Sequence, residues 1–367
     1  MKKMKNKVLF LGMMVASLAM AACNGNGGGS TSKKPSGSKS SSSEVSTSKV
    51  ELPKFEVKID SGNGDPKVEQ IELGSALTKP ADPTAPAGKV FYGWMNVKNG
   101  GQIWDFENRD NNAVMEDIEL KPCFVPAGQQ AQAFEAELCP DITERIGKDG
   151  TPGMDGETYS GGQAGTGLIA RVNYSKETKT NKYNASGAFV REDGVARYAT
   201  AADFDNPDVT VMAAFVHYNY VEGNTLTWEL ESDAAAENVT LFMRLSGEYG
   251  LPEANQVFEG EGEERVYETF NYEGFPVKVN DAPVNYGSIT IHNIIPKTFL
   301  PFQDYMVSAN VSLKAGKNTI QMVVNNLDTL NGTIKSTGPV VDAIKLYSSS
   351  NITWPKAKIS QMDNSNK

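Results

Sequence analysis

Apart from its acids, this chain holds few histidines and cysteines, the residue types that most often bind metals or take part in nucleophilic catalysis. It has 45 aspartates and glutamates but only two histidines and three cysteines. His217 and His292 lie far apart in sequence, which gives little support to a zinc site or a Ser-His-Asp triad. A pair of carboxylates could hydrolyse glycosidic bonds, but chance pairs are expected in so acidic a chain and no catalytic constellation stands out. The sequence therefore predicts a protein that is not an enzyme.

Two of the cysteines lie within the part of the chain that we expect to fold. Cys123 and Cys139 flank a predicted domain boundary, and neither belongs to a Cys-x-x-Cys motif or a Cys/His cluster. In an oxidising exterior they could form a disulfide, and two separate buried thiols are the alternative.

The third cysteine, Cys23, follows a leader sequence. Residues 1–7 carry four lysines and no acid, and residues 8–22 form an uncharged, mostly apolar run that ends in small residues. This is the layout of a secretory signal peptide over residues 1–22. Residues 20–23, Met-Ala-Ala-Cys, resemble a bacterial lipobox, with methionine where leucine is commoner. The resemblance implies cleavage before Cys23 and acylation of that cysteine, which would give a stable membrane anchor. An ordinary signal peptide with a chance cysteine is the alternative.

Residues 23–49 are predicted to form a flexible tether. They are mostly Gly, Ser, Thr and Lys, so the segment cannot bury enough apolar surface to offset its ordering entropy. Without residues 1–22, the formal net charge changes from −10 to −14. Because the chain is acidic and has no basic stripe, we expect no nucleic-acid partner. The sequence thus predicts a lipid-anchored protein on the extracellular face of the bacterial cell membrane.

About 315 residues follow the tether, which is enough for two domains. Short alternating segments separated by Gly, Asn, Asp and Pro recur throughout, and no long helical period is present, so the sequence predicts a mostly β fold. We expect domains at 52–126 and 132–350, a linker at Ala127–Gln132 and a tail at 351–367.

The first domain carries a repeat-like pattern. It comprises Phe55-x-Val57, Pro83-Thr84, Gly88, Phe91-x-Gly93-Trp94, Trp104-Asp105-Phe106 and Asp117-Ile118-x-Leu120. This order resembles a Listeria–Bacteroides (internalin B-type) repeat, although the usual closing Ala-x-Trp is replaced by Lys-Pro-Cys-Phe at residues 121–124. The resemblance implies a small β-grasp-like surface module that acts as a spacer or adhesive unit. Trp94, Trp104 and Phe106 could form an exposed ligand platform, but aromatic residues in so small a domain favour the core.

The second domain contains ten candidate strands with apolar–polar alternation. They are Ala133–Leu138, Leu168–Val172, Val211–Tyr218, Thr225–Glu231, Val239–Leu245, Val277–Val279, Ser288–His292, Val307–Leu313, Thr319–Val324 and Val340–Tyr347. One apolar face per strand predicts two antiparallel sheets packed face to face. Trp228 alternates with Leu226 and Leu230, which favours a core position for its side chain.

Motifs along this domain resemble a carbohydrate-binding module of the family 6/35 type. They are Phe134-Glu135-Ala136-Glu137, Gly161-Gly162-Gln163-Ala164, Gly223-Asn224-Thr225-Leu226-Thr227-Trp228, Leu241-Phe242-Met243-Arg244, Val277-Lys278-Val279-Asn280, Val311-x-Leu313-x-Ala315-Gly316-x-Asn318-x-Ile320 and Val341-Asp342-x-Ile344-x-Leu346. The resemblance implies a β-sandwich jelly roll, lengthened here by insertions near Val172–Pro207 and Leu251–Tyr272.

Members of that family commonly hold a structural calcium ion beside the first and last strands. Carried over to this chain, its ligands would be Glu135 or Glu137 together with Asp342. Carboxylates on strands that meet in space suit a hard cation that needs about six to eight oxygen ligands. The alternative is that both glutamates face solvent on an edge strand.

Sugar-binding groups in the same family project from loops at one end of the sandwich. The loop aromatics here are Tyr159, Tyr218 and Tyr220, and Asn325 and Asn326 supply side-chain amides for sugar hydroxyls. Tyr218 has a core position as its alternative. The chain lacks an evident loop tryptophan, which departs from the family.

The leading interpretation is a non-catalytic, surface-anchored lipoprotein that binds a polysaccharide or glycan. An adhesin or structural surface protein that binds a protein partner is the second interpretation. A glycan-degrading enzyme is the third, because jelly rolls host such enzymes, although a fold by itself does not supply an activity.

Overall fold

Strands make up nearly all of the regular structure in this computed structural model. It describes residues 52–108, 111–139, 143–144, 168–181, 183–192, 195–217, 219, 225–247, 254–260, 263–272, 276–284, 289–293, 302–323, 329–330, 333–334, 339–355 and 362–363. No helix within these ranges is long and apolar enough to cross a membrane. The prediction of a mostly β chain is confirmed.

The N-terminal module, residues 52–126, is a mixed five-stranded sheet. Its strands are β1 (Lys54–Ile59), β2 (Lys67–Glu72), β3 (Lys89–Asn96), β4 (Gln102–Ile103) and β5 (Ile118–Pro126). The strand order is β2-β1-β5-β3-β4, with β1 and β5 parallel at the centre and the other pairs antiparallel. A pair of central parallel strands, first and last in sequence, is the expected β-grasp-like arrangement.

Aromatic residues form the core of this module. Trp94 and Trp104 are buried and pack with Val57 and Leu120, and Phe106 is partly buried against them. The Trp104 indole N–H donates to Asn112 Oδ1 at 2.8 Å. The expectation that these aromatics build the core, rather than an exposed platform, is confirmed.

The remaining elements begin directly after this module. They are β6 (Gln130–Glu135), a 3₁₀ turn (Ala136–Leu138), β7 (Thr143–Glu144), β8 (Leu168–Asn173), β9 (Phe189–Glu192), β10 (Val195–Tyr198), α1 (Ala201–Asp205), β11 (Val211–His217), β12 (Thr225–Ser232), β13 (Ala236–Ser246), β14 (Ala254–Gly260), β15 (Glu263–Tyr272), β16 (Val277–Val279), β17 (Ala282–Val284), β18 (Ile289–Asn293), β19 (Gln303–Leu313), β20 (Gly316–Val323), β21 (Thr329–Leu330), β22 (Thr333–Ile334), β23 (Val340–Ser348), β24 (Ile352–Thr353) and β25 (Met362–Asp363).

Two of the sheets pack face to face as a β-sandwich. One contains β19, β13, β23 and β11, with β6 beside β23 and β8 beside β11, and the other has the order β17-β16-β20-β12-β24. Alternation between the two sheets, as in a jelly roll, follows the sequence of strands β11, β12, β13, β16, β19, β20, β23 and β24. Trp228 is fully buried between them, and its indole N–H donates to Phe134 O at 3.2 Å. The predicted sandwich and the core position of Trp228 are confirmed.

All ten predicted strands are present, but the one expected at Ser288–His292 (β18) belongs to a separate sheet and not to the sandwich. The first was expected to run to Leu138, but β6 ends at Glu135 and residues 136–138 form a 3₁₀ turn. The regions read as insertions also contain regular structure. Strands β14 and β15 form a separate three-stranded sheet with β18, while β9, β10 and α1 lie in the earlier insertion.

The N-terminal module and the sandwich share a sheet. Strand β4 pairs with β19, and Met306 N donates to Gly101 O at 2.9 Å. Beside this junction Cys123, Val125 and Phe242 form a buried cluster. Residues 127–129 alone separate β5 from β6, so the second half of the segment predicted as a linker is the start of β6.

Cys123 and Cys139 are separate buried thiols, the alternative to a disulfide. Cys123 Sγ lies 3.7 Å from Met306 Sδ at the junction, whereas Cys139 belongs to the sandwich core. Burial raises the pKa of the Cys123 thiol to about 12, so this thiol is protonated at neutral pH.

Candidate functional site

The first and last long strands of the sandwich bring the predicted metal ligands together. Strands β6 and β23 are antiparallel neighbours, with Glu135 opposite Ala343, the residue after Asp342. The exposed fractions of Glu135, Glu137 and Asp342 are 6%, 3% and 0%. Both glutamates are therefore buried, and the alternative that they face solvent is wrong. We call Glu135 and Asp342 the carboxylate cluster.

Ser186 connects the two members of the cluster. Its Oγ lies 2.9 Å from Glu135 Oε2 and 2.9 Å from Asp342 Oδ2, and its backbone N–H donates to Asp342 Oδ2 at 2.7 Å. A hydroxyl has one proton and can donate to only one of the two carboxylates at a time. The Oδ1 atom of Asp342 is buried and has no hydrogen-bond partner among the described residues. Asp342 thus has a buried oxygen atom that can still accept a hydrogen bond.

The loop that carries Ser186 is fixed by its own hydrogen bonds. The Asn181 amide donates to Ala185 O at 2.9 Å, and its oxygen accepts the N–H groups of Tyr183 and Ala185. Gly187 has φ of +69°, and a Cβ built there would lie 2.8 Å from Glu135 Cδ. The loop therefore needs glycine at 187 both for its backbone conformation and for its close approach to the Glu135 carboxylate.

Arg244 on β13 contacts the same oxygen of Asp342 as Ser186 does. Its Nε is 3.0 Å from Asp342 Oδ2, but this N–H is not directed at an acceptor, so the contact is an ion pair without a hydrogen bond. Its Nη1 donates to Asp304 Oδ1 at 3.0 Å, and its Nη2 donates to Asn184 O at 2.5 Å. Burial raises the pKa of Asp342 to about 6, against the opposing effects of Arg244 and Ser186. One buried arginine therefore only partly offsets the cost of burying this carboxylate.

The phenol of Tyr198 responds to the charges of both glutamates. Burial, reinforced by the charges of Glu135 and Glu137, raises the pKa of the Tyr198 phenol. Both glutamates therefore lie within electrostatic reach of its hydroxyl. The sequence patterns did not identify Ser186 or Asp304 as site residues. They included Arg244 in a family-like motif but assigned no role to it. A lone arginine in the apolar run of β13 was the available signal.

The donor set suits calcium in part. Glu135 and Asp342 supply the carboxylate oxygens that a hard cation prefers, and they share one hydroxyl contact. Across the described ranges, however, no three Asp, Glu, His or Cys side chains lie close enough together to hold one ion. Glu135 and Asp342 could therefore hold calcium only with further oxygen ligands, and calcium stays a prediction.

The predicted sugar-binding and lipidation residues, Tyr159, Tyr218, Tyr220, Asn325, Asn326 and Cys23, lie outside the described residues. The pairing of flanking strands is nevertheless described. His217, the last residue of β11, is opposite Leu168, the first of β8, and Thr225, the first of β12, is opposite Val323, the last of β20. The strand ends that lead to all five sugar-binding candidates therefore meet at one end of the sandwich.

One described residue lies within the β11–β12 connection. Asn219 is 1% exposed, and its side-chain amide donates to Pro339 O at 2.8 Å, immediately before β23. This bond holds the segment between Tyr218 and Tyr220 against the sandwich, so the connection has a fixed point between the two candidate tyrosines.

Comparison with known proteins gave weak similarities. No protein-family model matches the chain. A curated protein of Evansella cellulosilytica, provisionally named a membrane protein, is 25% identical over 209 residues. The match covers 50% of this chain and 31% of that protein, so the chain spans about a third of the relative's length.

Several solved structures that resemble it are family 35 carbohydrate-binding modules. One from an environmental isolate is 18% identical, with 38% of this chain and 76% of that chain covered and a TM-score of 0.24. One from Cellvibrio japonicus Abf62 is 14% identical, with 47% and 95% covered and a TM-score of 0.22. One from Clostridium thermocellum is 16% identical, with 48% and 97% covered and a TM-score of 0.22. Similarities this low do not assign the chain to a family.

Proposed function

We propose that this chain is a surface-anchored, non-catalytic protein that binds a polysaccharide or glycan through loops at one end of its sandwich. One observation carries the proposal: strand pairing brings together the strand ends that lead to the candidate residues, which the sequence alone indicates. Tyrosine rings offer flat apolar faces to a sugar, and asparagine amides can pair with its hydroxyls.

Tyr220→Ala is expected to weaken glycan binding about ten-fold, because loss of one stacking face costs about 1–2 kcal/mol. Asn326→Ala should instead alter the preference among sugar epimers, since it leaves a hydroxyl unpaired. A glycan array with residues 24–367 identifies a ligand, and titration of that ligand measures both variants.

Tyr174→Ala is a matched control for these variants. Tyr174 is partly exposed and follows the last residue of β8, which pairs near the start of β11 and so lies at the opposite end of the sandwich. The Tyr174→Ala variant should bind the glycan like the unmodified chain. Equal binding by Tyr220→Ala and Tyr174→Ala, with normal melting, would place the sugar site elsewhere and favour an adhesive role.

Within this proposal, Glu135 and Asp342 hold a structural calcium ion, whose charge would strengthen the contact between β6 and β23. Chelation is expected to lower the melting temperature of residues 24–367. A metal present at 100 times its Kd adds about 2.7 kcal/mol to the free energy of unfolding. Asp342→Asn should remove this response, whereas Glu119→Gln, an acid of the N-terminal module paired with Lys58, should retain it. An identical melting curve with and without chelator, with no metal by elemental analysis, would contradict the calcium site.

The proposed anchor is the acylated Cys23. Cys23→Ala is expected to abolish acylation, so the protein should appear in the medium or remain unprocessed. Fractionation of cells and medium, with mass spectrometry of the N-terminus, measures this. A variant that is cleaved normally and stays in the membrane fraction would show that the anchor lies elsewhere.

A further inference from the structure

A tyrosine of the N-terminal module reaches into the sandwich. The ring of Tyr92 stacks on Phe242 with 4.5 Å between ring centroids and contacts the edge of Tyr347 at 5.6 Å. Its hydroxyl donates to Asp304 Oδ2 at 2.6 Å. Tyr92 therefore makes both an apolar contact and a charge-assisted hydrogen bond across the junction.

Asp304 is the centre of a buried polar network. Besides Tyr92, its carboxylate accepts from Lys345 Nζ at 2.8 Å and from Arg244 Nη1 at 3.0 Å. Burial would raise the pKa of Asp304, but Lys345, Arg244 and Tyr92 outweigh it and lower that pKa. Asp304 is therefore ionised at neutral pH and holds the Arg244 guanidinium in place.

The network continues from Arg244 to the carboxylate cluster. The same guanidinium that pairs with Asp304 lies 3.0 Å from Asp342 and donates to Asn184 O, two residues before Ser186. A series of direct contacts thus runs from Tyr92 through Asp304 and Arg244 to Asp342. The side chains of Asp304, Arg244 and Asp342 are each 12% exposed or less, so solvent screens their charges weakly.

We infer that Arg244 is an internal cation that neutralises Asp342 and competes with a metal ion there, and that the N-terminal module holds it in position through Tyr92 and Asp304. The inference rests on the calcium ion of the proposed function. A guanidinium and a divalent ion cannot both approach one buried carboxylate without mutual repulsion. The N-terminal module therefore sets the calcium affinity of the sandwich.

Calorimetric titration of residues 24–367 with calcium chloride tests this inference. Arg244→Met removes the charge but keeps an unbranched side chain, and it should bind calcium about ten-fold more tightly, within the range typical of coupled sites. Arg244→Lys keeps the charge and should stay within about three-fold of the unmodified chain. Lys58→Met is the control for net charge, because Lys58 pairs with Glu119 away from the cluster and its loss should leave the affinity unchanged.

The part played by the N-terminal module is tested by a double-mutant cycle. Tyr92→Phe and Asp342→Asn should shift the urea midpoint non-additively in the absence of calcium, since they perturb two ends of one network. Additive shifts would overturn the role of Tyr92. Equal calcium affinity in Arg244→Met and the unmodified chain, both fully folded, would overturn the competition. If neither chain binds calcium, both the calcium site and the competition between Arg244 and calcium are wrong. Glycan titration then still tests the proposed glycan-binding function.

Discussion

Tyr92→Ala should lower the free energy of unfolding of the whole chain by about 3 kcal/mol, because it removes a large, partly buried aromatic ring that stacks on Phe242. The same change leaves Asp304 without one of its three side-chain donors, and hydrogen bonds to charged groups contribute about 1.5–3 kcal/mol. Urea unfolding followed by circular dichroism measures the loss. Since β4 pairs with β19, we expect the N-terminal module and the sandwich to unfold in one transition.

Tyr92→Phe separates the two contributions. It keeps the ring on Phe242 and removes only the hydroxyl, so the loss should fall to about 2 kcal/mol. A loss below about 1 kcal/mol in Tyr92→Ala would contradict a tight junction. Two separate transitions, with only the N-terminal module affected, would indicate that the modules fold independently.

The sequence predicted the strands of the sandwich because their alternation is a local signal. Leu226, Trp228 and Leu230 alternate with polar residues, and β12 extends one residue beyond its predicted end. The junction lacks a comparable signal. Tyr92 and Asp304 are separated by 212 positions, and nothing near either residue indicates the other. Such contacts depend on how distant strands pair, which single-strand patterns do not specify.

Strand patterns also do not predict the burial of Glu135 and Glu137, the glutamates proposed as metal ligands. A strand over 133–138 would put Glu135 and Glu137 on the face opposite Phe134 and Ala136. All four are buried, because the chain leaves the extended conformation after Glu135 and turns into a 3₁₀ helix. Family resemblance identified these glutamates as ligand candidates, whereas a position on an edge strand would have left them facing solvent.

Gly187→Ala is expected to destabilise the chain by about 3 kcal/mol and to weaken calcium binding. An L-residue in the left-handed region costs about 1–2 kcal/mol. The added Cβ would also lie 2.8 Å from Glu135 Cδ and 2.9 Å from Oε1, so the carboxylate must move in a packed environment at a further cost of about 1–3 kcal/mol. Urea unfolding and calcium titration measure the two effects.

Gly62→Ala provides the matched comparison. Gly62 has φ of +76°, close to the +69° of Gly187, but a Cβ there meets nothing within 4 Å. Its substitution should therefore report the backbone cost alone and leave calcium binding intact. The difference between the two variants isolates the approach of Gly187 to the Glu135 carboxylate. Equal losses of stability and unchanged calcium affinity in both would mean that the loop does not fix Glu135, and that the 181–187 segment has no part in shaping the carboxylate cluster.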